Sequence, residues 1–239
     1  MIVERQIEYE HNGQLLEAYL AFDDSQDTPA PGVLVSHAWG GRDEFACNKA
    51  RAMAELGYIG FALDLYGKGV RGSGPDENRK LMTPFIEDRE FLQSRLLASL
   101  ETFKSIPEVD NDRIVAMGFC FGGLCVLDIA RLETDIRGVI SVHGLFKRPS
   151  NTAGNRIKAK VLCLHGHDDP MVPPDSVLAL EKELTAAGAD WQIHVYGNTM
   201  HAFTNPKAND PDRGTVYQKD ADRRSWFTIQ GFLDEVLRG

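Results

Sequence analysis

The sequence predicts an α/β fold: a mostly parallel sheet of about eight strands, helices on both faces and an N-terminal antiparallel hairpin. Strand-like and helix-like segments alternate from residue 32 to the end, which is typical of a parallel sheet with right-handed crossovers. The apolar run Gly32–Ser36 has the pattern of a strand covered on both faces. Two alternating runs, Val3–Glu10 and Gln14–Phe22, are separated by Asn12 and Gly13, which indicates a hairpin.

The remaining segments follow in the order that such a sheet requires. The predicted strands are short and apolar: Tyr58–Leu63, Arg113–Met117, Gly138–Val142, Ala159–Leu164 and Trp191–Tyr196. The predicted helices are amphipathic: Asp43–Leu56, Pro84–Ile106 (which can break near its start), Leu124–Arg131, Pro174–Ala187 and Arg223–Leu237. The glycine-rich and charged stretch Lys68–Asn78 is predicted to be a loop. No repeat or linker divides the chain, so we expect residues 1–239 to form one domain.

Composition and charge exclude several classes of function. The chain has 239 residues, with 26 basic and 35 acidic side chains and a net charge of −9, so nucleic acid is not an expected partner. The N-terminus lacks the apolar segment of a signal peptide. The longest charge-free apolar run, between Arg113 and Asp128, is too short to span a bilayer. We expect a cytoplasmic protein with no membrane partner, present as a monomer or small homo-oligomer.

The four cysteines do not form a metal or disulfide framework. None of them forms a C-x-x-C pair, and three are small apolar residues suited to a core. The sequence therefore predicts no metal ion and no other cofactor. The exception is Cys120, which lies in the motif Gly118–Gly122, a G-x-C-x-G pattern between a strand and a helix.

A nucleophile at the apex of a sharp strand-to-helix turn is the nucleophile elbow of α/β-hydrolases, here with cysteine in place of the commoner serine. The backbone at the apex is strained, so the residues two before and two after must be small. Gly118 and Gly122 meet that requirement. The first turn of the following helix favours both a thiolate and an oxyanion.

A cysteine nucleophile needs a base, and the base needs an acid that orients it. In this fold they follow in the order nucleophile, acid and histidine, each on a loop at the carboxyl edge of the sheet. The pair Asp168 and Asp169 follows one predicted strand, and His201 follows the next. Three such residue types at three strand ends predict a catalytic triad.

These segments resemble the dienelactone hydrolase (carboxymethylenebutenolidase-like) family of α/β-hydrolases. The resemblance covers nearly the whole domain and rests on five segments: His37–Gly41, Asp64–Gly67, Gly118–Gly123, Gly166–Pro173 and His201–Phe203. In the family pattern G-x-x-D-x-x-V-P the acid stands three residues before Val-Pro, and that register selects Asp169 over Asp168.

The resemblance implies hydrolysis of an enol lactone or related ester. Cys120 would attack the carbonyl carbon, His201 would take the thiol proton and later activate water, and Asp169 would hold the imidazole tautomer. The backbone N–H groups of Phe121 and Ala38 would bind the oxyanion. Five further residues are candidates for the lining of the substrate pocket: His37, Trp39, Tyr66, His143 and Phe203. Packing in the protein core is the alternative explanation for each of them.

The sequence departs from the family pattern at two positions. Members acting on dienelactone carry a glutamate near the resting thiol where this chain has Ser36-His37, and an arginine after the catalytic histidine where it has Thr204-Asn205. Arg71 or Arg79 could take the place of that arginine. The alternative is that both are solvent-exposed loop residues with no role in substrate binding.

Three alternatives to a small-ester or lactone hydrolase stay open on the same triad: a thioesterase, a peptidase and an acyltransferase. A peptidase would normally carry a propeller or a large lid insertion, for which this chain has no room. A non-catalytic ligand-binding protein is the fourth alternative, and the intact set of nucleophile, base and acid argues against it.

Overall fold

The computed structural model describes residues 1–238 and contains helices and strands in the predicted alternation. The strands are β1 Ile2–His11, β2 Gln14–Asp23, β3 Ala30–Ser36, β4 Ile59–Ala62, β5 Val109–Phe119, β6 Gly138–Val142, β7 Lys160–Gly166, β8 Trp191–Tyr196, β9 Asn209–Asp210 and β10 Thr215–Val216. The helices are α1 Glu44–Glu55, α2 Pro75–Glu87, α3 Arg89–Lys104, α4 Phe121–Arg131, α5 Pro174–Ala186 and α6 Lys219–Leu237. Two single turns of 3₁₀-helix lie at Ser150–Thr152 and Pro211–Arg213.

The residues group into two compact units, Met1–Met117 and Gly118–Gly239. In the first unit, β1 and β2 form the predicted antiparallel hairpin, with Asn12 and Gly13 at its turn and both at positive φ. Strand β2 pairs antiparallel with β4, and β4 pairs parallel with β3. The hairpin prediction is therefore confirmed, and the strand predicted at Gly32–Ser36 lies within β3.

In the second unit, β6, β7 and β8 are neighbours in that order and run parallel. Val142 pairs with Leu164, and Gly166 pairs with Tyr196, so all three strands end at one edge. Strand β6 is buried throughout, and β7 is buried apart from its first residue, which is the pattern of strands covered on both faces. The predicted α/β-hydrolase fold, with a mostly parallel sheet and an N-terminal hairpin, is confirmed.

Helix α2 corrects the prediction of a loop over Lys68–Asn78. The helix begins at Pro75, inside that stretch, after the N-cap residue Gly74. Proline at the first helical position and acidic side chains in the first turn, here Asp76 and Glu77, both favour a helix start. The glycine and charge content that suggested a loop therefore describes only the residues before Pro75.

The break that the sequence allows near the start of the helix predicted over Pro84–Ile106 is present, and it divides that segment between two helices. Helix α2 ends at Glu87, and α3 begins at Arg89. Asp88 separates them because its carboxylate accepts a hydrogen bond of 2.9 Å from the N–H of Phe91 and caps α3. The break thus comes from a capping residue four positions after Pro84.

Within residues 1–238, no helix has the length and apolarity needed to cross a membrane. The organisation of residues 1–239 as one domain stays a prediction.

Candidate active site

Cys120 occupies a sharp turn between the end of β5 and the start of α4. Its backbone has φ 56° and ψ −116°, a strained conformation for a residue with a side chain. The Cys120 N–H donates to Val142 O at 3.1 Å, and the Cys120 carbonyl accepts from the N–H of Gly123 at 2.9 Å. A Cβ at Gly118 would collide with the backbone carbonyl of Gly122, so the turn requires glycine at that position.

The start of α4 also packs closely on the residues that follow β6. A Cβ at Gly123 would lie 2.5 Å from Gly144 Cα and 2.7 Å from Ser141 Oγ, far inside van der Waals contact. The backbone of the elbow helix therefore rests directly on the backbone after β6. This contact fixes the start of α4, and with it the turn that carries Cys120, against the residues on either side of His143.

Asp169 and His201 form a buried pair. The His201 Nδ1 atom lies 2.6 Å from Asp169 Oδ2, and both side chains are almost completely buried. The other carboxylate oxygen of Asp169 accepts a hydrogen bond of 2.8 Å from the N–H of Met171, which orients the acid. Asp168 is exposed, so the neighbouring carboxylate is not the one that contacts His201.

The hairpin of β9 and β10 braces His201 and the acid loop together. The His201 N–H donates to Gly214 O at 2.9 Å, and the N–H of Val216 donates to His201 O at 3.0 Å. Gly214 has φ 68° and lies against the ring of Pro170, where a Cβ would overlap the ring atoms. This brace was not predicted from the sequence. Gly214 is the residue in the sequence that could have indicated a tight turn here.

Charge and burial compete in setting the protonation of His201. Burial alone lowers the pKa of His201, but the charge of Cys120 and the hydrogen bond to Asp169 outweigh it and raise that pKa to about 10. A hydrogen bond between the Cys120 side chain and His201 also raises this pKa. Because Asp169 holds Nδ1, the nitrogen left for Cys120 is the buried Nε2.

Two of the predicted pocket residues, His143 and Phe203, lie beside His201. The His143 ring is 5.2 Å from the His201 ring and 5.2 Å from the Phe203 ring, edge-on to both. Phe119 lies 5.9 Å away on another side. The wall behind His201 is therefore aromatic and buried.

The other predicted pocket residues, His37, Trp39 and Tyr66, lie together in the first unit. His37 Nδ1 lies 2.6 Å from Ala38 O, and Nε2 lies 3.3 Å from the N–H of Leu65. A carbonyl only accepts and an N–H only donates, so His37 is the neutral Nδ1–H tautomer, and burial lowers its pKa. Both ring nitrogens of His37 therefore have backbone partners.

Tyr66 belongs to the same cluster and donates its hydroxyl to Trp39 O at 3.0 Å. Its ring is 4.9 Å from the His37 ring. The oxyanion role of Ala38 and the pocket roles of His37, Trp39 and Tyr66 stay predictions. Arg71 and Arg79 are both exposed.

The family model of the dienelactone hydrolase family matches residues 16–237. The chain belongs to the dienelactone hydrolase family. A protein of Aquifex aeolicus, provisionally named carboxymethylenebutenolidase, is 29% identical over 97% of this chain and 98% of its own length. An uncharacterised protein of Caenorhabditis elegans is 37% identical over 61% of this chain and 94% of its own length. The predicted family and the prediction of a carboxylic ester hydrolase are confirmed at this level.

Solved structures agree with this assignment. One named m3DLH is 34% identical, superposes with a TM-score of 0.93 and covers 99% of both chains. A dienelactone hydrolase-like promiscuous phosphotriesterase from metagenomic libraries is 30% identical, with a TM-score of 0.93 and 98% coverage of both chains. The acylaminoacyl peptidase of Pyrococcus horikoshii shares the fold at 18% identity and a TM-score of 0.71, but this chain covers only 42% of it.

Proposed function

We propose that the protein hydrolyses a small ester or lactone through a Cys120–His201–Asp169 triad and a covalent acyl-enzyme. The observation that carries this proposal is the buried 2.6 Å contact between His201 and Asp169, together with the effect of Cys120 on the His201 pKa. The raised pKa of His201 supports our proposal of a thiolate–imidazolium pair, which is the reactive state of a cysteine nucleophile.

In the first half of the reaction, the Cys120 thiolate attacks the carbonyl carbon and a C–S bond forms. The carbonyl electrons move onto oxygen, and the tetrahedral intermediate then expels the alkoxide. The imidazolium of His201 gives its Nε2 proton to that alkoxide, leaving a neutral imidazole and an acyl-enzyme. Asp169 keeps Nδ1 protonated throughout, so Nε2 stays the nitrogen that transfers the proton.

In the second half, neutral His201 takes a proton from water, and the resulting hydroxide attacks the thioester carbonyl. The C–S bond breaks, the carboxylic acid leaves, and the thiolate–imidazolium pair forms again. Both tetrahedral intermediates carry an oxyanion. Phe121 is the first residue of α4, where N–H groups and the helix dipole favour negative charge, so its N–H is our candidate donor. Ala38 is the candidate for the second donor.

The residues after His201 favour a substrate that is uncharged at this end of the site. Thr204 stands near the position of the arginine that holds the substrate carboxylate in dienelactone-degrading members. Thr204 is uncharged, and its side chain is buried and hydrogen-bonded to His143. A neutral ester or lactone therefore suits these residues better than an anionic dienelactone.

A second activity is worth testing because of one relative. The phosphotriesterase that resembles this chain shares 30% of its sequence over nearly its full length. A thiolate can also attack the phosphorus of a neutral phosphotriester, and an oxyanion site can bind the negative charge that develops on its oxygen. Such a substrate therefore belongs in the same assay. Thioester, peptide and acyl-transfer substrates test the remaining alternatives.

The test is hydrolysis of p-nitrophenyl acetate by wild type, Cys120→Ala and His201→Asn, with cis-dienelactone, a thioester and a phosphotriester run in parallel. Cys47→Ala is the matched control because Cys47 is also half-buried but burial raises its thiol pKa. We expect ester turnover that Cys47→Ala keeps and Cys120→Ala loses. Full activity in Cys120→Ala would refute the proposed nucleophile, and turnover only of another substrate would refute the proposed reaction class.

A further inference from the structure

The imidazole of His143 packs directly behind the proposed catalytic base. Its ring is 5.2 Å from the His201 ring at an interplanar angle of 63°, and His143 is 2% exposed. Asp169 holds the His201 ring at Nδ1. The ring can still tilt about that hydrogen bond, and a tilt would move Nε2 away from Cys120. The edge-on contact with His143 opposes such a tilt.

His143 is itself held in an unusual position. Its backbone has φ 38°, and its N–H donates to Leu164 O at 2.8 Å. Its Nε2 atom lies 2.9 Å from the hydroxyl oxygen of Thr204, which is 3% exposed. Strained backbone at a buried residue persists only where surrounding contacts hold it, and it is concentrated at functional sites. The side chain therefore has both a rigid backbone and a specific anchor.

We propose that His143 is a positioning residue for His201, and that the Thr204 hydroxyl anchors His143 in that role. This inference rests on the proposed function and adds two residues that act through the base without touching the substrate. The order of contacts is Thr204 to His143, His143 to His201, and His201 to Asp169 and Cys120.

The charged groups around His201 determine how a displacement of its ring would change the ionisation of Cys120. Cys120 faces it from the elbow and Asp169 from the acid loop, and both raise its pKa. His165, at the end of β7, is buried with a lowered pKa and interacts with both His201 and Asp169. His143 also packs against the His201 ring. If His201 tilts, its cationic Nε2–H moves from Cys120, and the thiolate loses stabilisation.

The experiment compares Thr204→Val, which removes the anchor at constant volume, with Thr204→Ser, which keeps the hydroxyl. His143→Phe is the second disrupting variant because it keeps a ring but loses the nitrogen. Thr152→Val is the matched control, since Thr152 is also buried and donates its hydroxyl to a loop carbonyl at 3.4 Å. For each protein, the rate of Cys120 alkylation by iodoacetamide is measured against pH, with kcat, KM and thermal stability.

We expect Thr204→Val and His143→Phe to raise the midpoint of the alkylation profile by about one pH unit, equivalent to tenfold weaker stabilisation of the thiolate. Both should lower kcat about tenfold with little change in KM, and the double variant should be no worse than either single one. Thr204→Ser should restore most of the profile. Thr152→Val should lower thermal stability and leave the alkylation profile and kcat unchanged.

An alkylation profile in Thr204→Val and His143→Phe that matches wild type would overturn the inference, whatever the change in stability. Failure of the proposed function gives a different result, because Cys120→Ala would then keep its hydrolytic activity. The two failures are therefore distinguishable.

Discussion

Replacing Gly123 by alanine tests the close packing that positions the nucleophile. Gly123 lies in α4, where local propensity alone favours alanine over glycine by about 1 kcal/mol. Packing opposes the change, because the new Cβ would lie 2.5 Å from Gly144 Cα and 2.7 Å from Ser141 Oγ. Carbon atoms prefer a separation of about 3.5–4.0 Å, so the helix start must move by about 1 Å. Overpacking of this kind typically costs about 1–3 kcal/mol.

The displacement should reach the active site, since the carbonyl of Cys120 accepts a hydrogen bond from Gly123. A 1 Å misplacement of a reacting group can cost about 10²-fold in rate, and we expect a loss of that order in kcat/KM. The matched control is Gly231→Ala in α6, where a Cβ meets nothing within 4 Å. That change should stabilise the protein by about 0.5–1 kcal/mol and leave activity intact.

The assay combines urea unfolding with ester hydrolysis for both variants. Stabilisation by Gly123→Ala equal to that by Gly231→Ala would refute the packing argument. Unchanged activity in Gly123→Ala would refute the claim that this contact positions Cys120.

Three further substitutions test other parts of the site and the fold. Asp169→Asn should lower kcat/KM by about 10²–10⁴-fold, and the ¹H NMR titration midpoint of His201 should fall well below about 10; an unchanged midpoint contradicts the pairing. Gly214→Ala should lower both activity and thermal stability because the brace must open, and a wild-type melting curve would contradict it. Burial and then the charge of Arg95 lower the pKa of His11, which accepts a hydrogen bond of 2.8 Å from Arg95 only when neutral. The stability that wild type gains over His11→Gln should therefore be present above pH 6.5 and disappear as the pH falls below it, and a constant difference would contradict this.

The pH dependence contributed by His201 has the opposite sign. Its folded-state pKa is raised, so the pair with Asp169 and Cys120 stabilises the protein fully below the ordinary pKa of 6.5. That stabilisation decreases as the pH rises towards about 10. The same raised pKa keeps the His201 imidazolium available at neutral pH.

Sequence patterns single out the proposed triad because each member follows a strand and carries a local signature. Gly118 and Gly122 mark the elbow, and the register of Asp169 before Val172-Pro173 separated it from Asp168. In the structure, Asp169 is buried against His201 and Asp168 is exposed, and the role of Asp169 as the acid stays a proposal.

Features that depend on contacts between distant segments were not visible in the sequence. Strands β9 and β10 have two residues each, too few for any periodicity, yet they brace His201. The contact of His143 with His201 joins residues separated by more than fifty positions. The start of α2 was missed for another reason, because Gly74 and the charged residues around it resemble a loop until Pro75 is read as a helix start.

The central claim is that Cys120 becomes acylated during turnover. The most direct measurement is mass spectrometry of the protein quenched in acid within milliseconds of mixing with p-nitrophenyl acetate, followed by peptide mapping. We predict one acetyl group on the peptide that carries Cys120 in wild type, and none in Cys120→Ala. Steady turnover with no adduct on Cys120, or with the acetyl group on another residue, would contradict the account.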